Sequence, residues 1–337
     1  MALAIEVQAR RGELVESRHR ITWVAVDAAG RKRDGSGTDL VTTFRSAAKP
    51  FQLLPLVERG HASALGLSDE QLAIMAASHT GSAHHRTVVR QILDALALGV
   101  DDLACGAHDP SDPEALAEIR LHPELLSRLY NNCSGKHSGM LALAQREGWP
   151  LKGYELAEHP LQQLMRRTIA EVCGCAAESL GVAVDGCGVC VFSLPMSAMA
   201  RGYARLAEAA RSPEDARGRA LQRIALAMAA HPRTVEGEGR LSTALMTVTG
   251  GRLVAKGGAE GLQLIADTSR GAGLALKCED GAGRAVAPAT VALLESIGWI
   301  AAEEASRLEG QRRPLVKNAA GLVVGHLEAT VSSTAAV

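Results

Sequence analysis

Phe44-Arg45-Ser46-Ala47-Ala48-Lys49-Pro50, residues 44–50, is where the chain changes character. Upstream, Leu3–Gln8, Glu13–Ser17, Ile21–Asp27 and Asp39–Phe44 read as extended, with turn chemistry at Asp27–Gly30 and Asp34–Gly37. Downstream, to about residue 173, apolar residues recur at helical spacing. Lys49-Pro50 opens a helix with proline in its first turn, Ser68 and Gln71 form a capping box, Ser111-Asp112-Pro113 starts a third helix, and Pro160–Val172 makes a fourth. The chain returns to strand over Gly181–Val191, and two Ala-rich helices follow at about 197–230. Strands at Arg252–Ala255, Leu262–Ala266 and Gly273–Lys277, a helix at 287–300 and a strand near Leu322–Leu327 complete it. This order predicts an α/β fold. Residues 1–45 and 180–337 form a sheet subdomain, and 46–179 a mainly helical subdomain inserted between them.

Composition narrows the function. The 337 residues are 47% hydrophobic, enough for a large core, and 36 basic against 37 acidic residues leave a net charge of −1. No global basic field draws the chain to nucleic acid or anionic lipid, and 3% aromatics are too few for stacking platforms. No apolar run approaches the ~20 residues of a membrane span. Met1–Arg11 alternates and does not resemble a signal peptide, and seven cysteines suit a reducing compartment. The expectation is a cytoplasmic globular protein. Only seven of the 36 basic residues are lysines: Lys32, Lys49, Lys136, Lys152, Lys256, Lys277 and Lys317. Lysine can be deprotonated by burial or nearby cations and arginine cannot, so each is worth reading singly.

Five stretches carry chemistry. Ser46 and Lys49, three residues apart at a helix start, share a face, so the amine can take the hydroxyl's proton. The plainer alternative is a capping serine beside a surface lysine. Val254-Ala255-Lys256-Gly257-Gly258 ends a strand and resembles the Lys-Thr-Gly edge strand that accompanies Ser-x-x-Lys in β-lactamases. Ala77-Ser78-His79-Thr80-Gly81-Ser82 adds a second hydroxyl, with His79 as a competing base beside it, or is simply a helix end closed by glycine. Asn131 to Gly139 (Asn-Asn-Cys-Ser-Gly-Lys-His-Ser-Gly) is hard to explain by packing and points to a thiolate or anion site, the plainer alternative being a small buried cysteine in a turn. Asp185-Gly186-Cys187-Gly188-Val189-Cys190 has Cys-x-x-Cys spacing, which serves zinc or redox exchange, yet a zinc knuckle needs a second such pair.

Taken together with Val15-Glu16-Ser17-Arg18-His19-Arg20, these stretches resemble the class 3 (rhizobial-type) L-asparaginases, the L-asparaginase II family, over almost the whole chain. The resemblance implies a serine β-lactamase/glutaminase-like fold, with a mixed antiparallel sheet flanked by helices and an inserted helical subdomain. It implies hydrolysis of L-asparagine to L-aspartate and ammonia, and a homodimer. It further implies two Ser–Lys pairs, Ser46 with Lys49 and Ser78 with Lys256. A zinc ion is implied on Cys133, Lys136 and Cys187, with Asp185 nearby. The family has proline where this chain has Cys190, so the Cys-x-x-Cys pair is incidental and Cys190 is not counted as a ligand. Arg45 and His79 are expected at the substrate's α-carboxylate, and Asp185 is placed with them as substrate-binding. The rival readings are a glutaminase or penicillin-recognising hydrolase on the same motifs, and a non-enzymatic zinc-binding protein.

Overall fold

The computed structural model describes residues 2–36 and 39–334. Gly37, the end of the second expected turn, lies outside them. Eleven strands occur among the described residues: β1 (Ala2–Arg11), β2 (Leu14–Asp27), β3 (Lys32–Gly35), β4 (Val41–Thr43), β5 (Gly181–Val184), β6 (Cys190–Pro195), β7 (Leu253–Gly258), β8 (Leu262–Asp267), β9 (Ala272–Cys278), β10 (Leu315–Lys317) and β11 (Val323–Thr334). They form an eight-stranded sheet, ordered β10-β11-β1-β2-β9-β8-β7 with β3 on β2, and a separate three-stranded sheet, β4-β6-β5. Every pairing is antiparallel, with no parallel component among the described residues. The large sheet draws its strands from both ends of the chain. Helices flank it, which makes the molecule α/β.

Two expected strand limits change. Glu13–Ser17 and Ile21–Asp27 are one strand, because the alternation continues through Arg18–Arg20 on a stretch where only one side is buried. The Gly181–Val191 strand is instead the hairpin β5–β6. Asp185 accepts the Gly186 N–H on its side chain and the Gly188 N–H on its backbone carbonyl, and Gly188 sits at φ +90, so the chain reverses there. That hairpin pairs with β4, outside the large sheet.

Strands β8 and β9 are buried along their full length, so both faces of the sheet are covered there. The helix Met196–Arg211 packs across β2, β8 and β9, close enough that a Cβ at Gly273 would stand 2.0 Å from the Ala200 carbonyl oxygen. In the helical region Lys49–Glu58 is central, packed against His61–Ala64, Ser134–Arg146, Pro160–Cys173 and Ala216–Ala230. Nine of its ten residues are buried, which explains its nearly uninterrupted apolar sequence. The capping box at Ser68 and Gln71 forms in both directions, starting the helix Asp69–Met75. That helix meets the N-terminus of Ser134–Arg146 so closely that a Cβ at Gly135 would lie 2.2 Å from the Ile74 carbonyl oxygen. Glycine at 135 is what lets the polar loop before it enter the core. Strand β7 ends the sheet path, and its free edge faces the 3-10 turn Arg45–Ala48.

Candidate active site

A cavity of about 460 Å³ opens between that edge and the helical region. Ser46, Ser78, His79 and Lys256 line it, so the fold brings together the Ser-x-x-Lys turn, the Ser78 segment and the Lys-Gly-Gly strand. Asn132, Glu236 and Arg240 line it as well.

The contacts differ from the implied pairs. Lys49 is buried at the start of its helix and donates to the Ala77 carbonyl and, at 2.9 Å, to Ser78 Oγ. No side-chain hydrogen bond joins it to Ser46 among the described residues. Burial lowers the Lys49 amine, the Lys136 and Lys256 charges push the same way, and Cys133 and Cys187 partly oppose them, leaving it at about 8. Lys256, fully buried, donates to Glu236 Oε1 at 3.1 Å and to the Gly257 carbonyl at 2.7 Å, and makes no hydrogen bond to Ser78 among the described residues. The reason is geometric: Ser78 follows the helix that packs beside Lys49, whereas Lys256 lies on the edge strand facing Glu236.

Glu236 was not read from the sequence. It ends the short helix Pro232–Glu236 and accepts the Gly257 N–H at 3.0 Å and the Ser242 N–H at 3.2 Å. Burial raises its carboxyl, but Lys256 and these hydrogen bonds outweigh burial and hold it below the ordinary range. Its signal was Glu236-Gly237-Glu238-Gly239-Arg240, charges interleaved with glycines just before a helix.

His79 is buried and both ring nitrogens are engaged. Nδ1 accepts the Gly81 N–H at 3.1 Å, so Nε2 carries the proton and donates to Ser134 Oγ at 2.9 Å. Burial, with smaller effects from His85 and Lys49, drives its pKa well below 6.5. A neutral imidazole with no free lone pair is neither a base for Ser78 nor a cationic anchor for a carboxylate. Arg45 and Asp185 pair with each other at 2.9 Å, both largely buried. Arg45 has φ +46, a strained backbone for a β-carbon residue, and the ion pair holds it there directly before Ser46.

The polar loop and the β5–β6 turn converge. Lys136 Nζ donates to Cys187 Sγ at 2.8 Å, and Cys133 lies near enough for Cys187 and Lys136 to shift its thiol. The Cys187 contact lowers the Cys133 thiol, burial opposes it, and Lys49 and Lys136 add to the lowering; Cys187 is correspondingly raised. Burial acts against the Lys136 charge, but the two sulfurs outweigh it and raise that amine. Two buried thiols and the Lys136 nitrogen, once all three have given up their protons, make a donor set that would suit a thiophilic tetrahedral ion with one position open. Cys190 begins β6; burial raises its thiol, and it makes no hydrogen bond to this cluster among the described residues. A second group, His19, Cys278 and Asp280, brings donor atoms within 4.8 Å of one another and is the one possible metal-binding His/Cys/Asp trio among the described residues. There Asp280 accepts from His19 Nδ1 and from the Cys278 thiol, while Arg284 donates to His19 Nε2. These hydrogen bonds already satisfy the trio.

The cavity thus gathers two serines and a buried lysine at the edge of the sheet. The family model for L-asparaginase II matches residues 7–329, and the chain belongs to that family. It is accordingly an asparaginase-type amidohydrolase whose substrate is a small molecule. Comparison with curated proteins gives no match. No helix among the described residues is long and apolar enough to cross a membrane.

Proposed function

We propose that the protein hydrolyses the side-chain amide of L-asparagine to L-aspartate and ammonia, with Ser46 as nucleophile, Lys49 as its base and Ser78 as the proton relay. The observation that carries this reading is the Lys49 Nζ to Ser78 Oγ contact at 2.9 Å, on a buried amine lowered to about 8. A neutral lysine has two N–H donors and one lone pair. The donors are used on the Ala77 carbonyl and Ser78 Oγ, which leaves the lone pair for the Ser46 hydroxyl, three residues back and otherwise unbonded among the described residues. Ser46 Oγ bonds to the amide carbon as its proton passes to Lys49. Lys49 returns a proton through Ser78 to the departing nitrogen, the C–N bond breaks, and ammonia leaves. Water then attacks the aspartyl ester and gives a proton to Lys49, which passes it to Ser46 Oγ as the bond between Ser46 Oγ and the acyl carbon breaks and aspartate leaves.

Cys133, Lys136 and Cys187 would hold zinc, which supplies positive charge next to Lys49 and locks the Asn131–Gly139 loop to the β5–β6 turn. The serine β-lactamase/glutaminase-like relationship, the subdomain division at 45/46 and 179/180, a cytoplasmic location and a homodimer belong to the same reading. The test is ammonia release by purified protein from L-asparagine and L-glutamine, with and without a chelator. Asparagine turnover supports the proposal. Preference for glutamine moves the protein to the glutaminases, and no release from either amide refutes the reading.

A further inference from the structure

Within the cavity, Lys256 and Glu236 make a buried ion pair with an unusual connection. Val235, the neighbour of Glu236, accepts the Ser78 N–H on its carbonyl at 2.9 Å, while Glu236 itself binds both the Lys256 ammonium and the Gly257 N–H. One dipeptide therefore ties the Ser78 segment to the edge strand. Glu236 also consumes the outward-facing Gly257 N–H, and Lys256 consumes the Gly257 carbonyl, so the pair caps the strand edge where it borders the cavity. Of the three donors of an ammonium group, two are committed to Glu236 and Gly257, leaving one.

We propose that Glu236 is a positioning residue that keeps Lys256 a fixed cation, so Lys256 serves as a positive charge for the anionic substrate and transition state and not as a second base. This rests on the amidohydrolase reading above, and it divides the labour between the two lysines. Lys49 has no carboxylate among its hydrogen-bond partners, whereas Lys256 has one at 3.1 Å with no exposed side-chain surface. A buried carboxylate beside a buried amine favours its charged form. Glu236 is in contact with Lys256, Lys49 is near enough to feel its charge, Arg240 and Glu260 line the same cavity, and Arg45 stands beside Gly258 on the same strand. A base role would require Lys256 to give up the proton that Glu236 holds in place, and Ser78 already has a lysine partner.

Removing the charge of Glu236 separates the two roles, because an unpaired buried lysine neutralises itself. If Lys256 is a base, Glu236→Gln is harmless or favourable near neutral pH. If it is a cation, Glu236→Gln is damaging and Lys256→Arg is tolerated. The expected result at about pH 8 is a loss of kcat/KM on the order of a hundredfold for Glu236→Gln, partial recovery in Glu236→Asp, and at least about a tenth of the activity kept in Lys256→Arg. The companion measurement needs no turnover. With lysine labelled at ¹³Cε and ¹⁵Nζ, only seven side-chain signals exist, and Lys256 is assigned by its loss in Lys256→Arg. Its signal is expected in the ammonium form at about pH 8 in the wild type and in the amine form in Glu236→Gln. An amine signal in the wild type overturns the proposal, as does an inactive, folded Lys256→Arg beside an active Glu236→Gln. If Glu236→Gln does not fold, the wild-type signal and Lys256→Arg decide. If the wild type releases no ammonia from asparagine, the asparaginase reading fails, and the labelled spectrum still tests the assignment of charge.

Discussion

Replacing Lys49 by Arg or by Met separates basicity from charge. Burial brings this amine to about 8, against about 10.4 for a free lysine side chain. At pH 7.5 about a quarter of the molecules then hold a neutral Lys49, compared with about one in a thousand for a free lysine, a gain of roughly 200-fold in available base. The neutral form accepts the Ser46 proton, so activity rises with pH through about 8 and is lost below it. Between pH 6 and pH 8 the rise is expected to be about 50-fold. Arginine at 49 keeps the charge but supplies no base, and kcat is expected to fall by at least about 10³. Methionine adds a stability readout. Holding an amine at about 8 in place of 10.5 costs the folded state roughly 3 kcal/mol below pH 8, and the penalty disappears as pH rises from 8 to 10.5. Losing the bond to the Ala77 carbonyl offsets about 1 kcal/mol of that. Lys49→Met is therefore expected to be inactive yet about 1–2 kcal/mol more stable at pH 7, an advantage that shrinks above pH 8. Ammonia release from pH 5.5 to 9.5, with urea denaturation at pH 7 and 9.5, measures both. An acidic limb near the imidazole value of about 6.5 or an active Lys49→Arg refutes the choice of base. A Met variant less stable than wild type at pH 7 refutes the energetic argument.

Three further outcomes are expected. Purified protein is expected to carry about one zinc per chain by elemental analysis, lost in Cys133→Ala and Cys187→Ala and kept in Cys190→Ala; equal loss in all three means the ligands are misassigned. Arg45→Ala is expected to leave Asp185 unpaired, lower stability by about 1–2 kcal/mol and cut kcat roughly tenfold. A double-mutant cycle with Asp185→Asn is expected to give a coupling of about 1–2 kcal/mol, and additivity would show that the 2.9 Å pair does not act as a clamp. Gly135→Ala places a methyl 2.2 Å from the Ile74 carbonyl oxygen, so a loss of about 2–4 kcal/mol is expected in chemical denaturation, with zinc content falling too.

Local chemistry was legible wherever a short segment carries its own signal. The capping box at Ser68 and Gln71, the proline-opened helix at Lys49, and the short apolar runs of β8 and β9 are local signals, and each forms where read. The β5–β6 hairpin was missed because Val182, Val184 and Val191 favour extended backbone on either side of a reversal that only Asp185 and Gly188 announce. Ser46, Lys49, Ser78, Cys133, Lys136, Cys187 and Lys256 stood out through short motifs that are weak singly and gained their roles only from the family resemblance of the whole set.

From the sequence alone follow the kinds of groups present, their order along the chain and the family to which they belong. Partnership does not follow. Glu236 is 20 residues from Lys256 and 158 from Ser78, and no local pattern announces that it stands between them. Lys49 lies 29 residues from Ser78, and the helix of Lys49 and the segment following Asp69–Met75 meet only because the core packs them together. Reactivity is likewise a tertiary property. Lys49 and Lys152 are the same side chain, but only the first is sealed from water beside other cations, and that environment is what lowers its amine to about 8. Residue type and spacing are written in covalent order, whereas burial and hydrogen-bond partners exist only once distant segments have closed around the site.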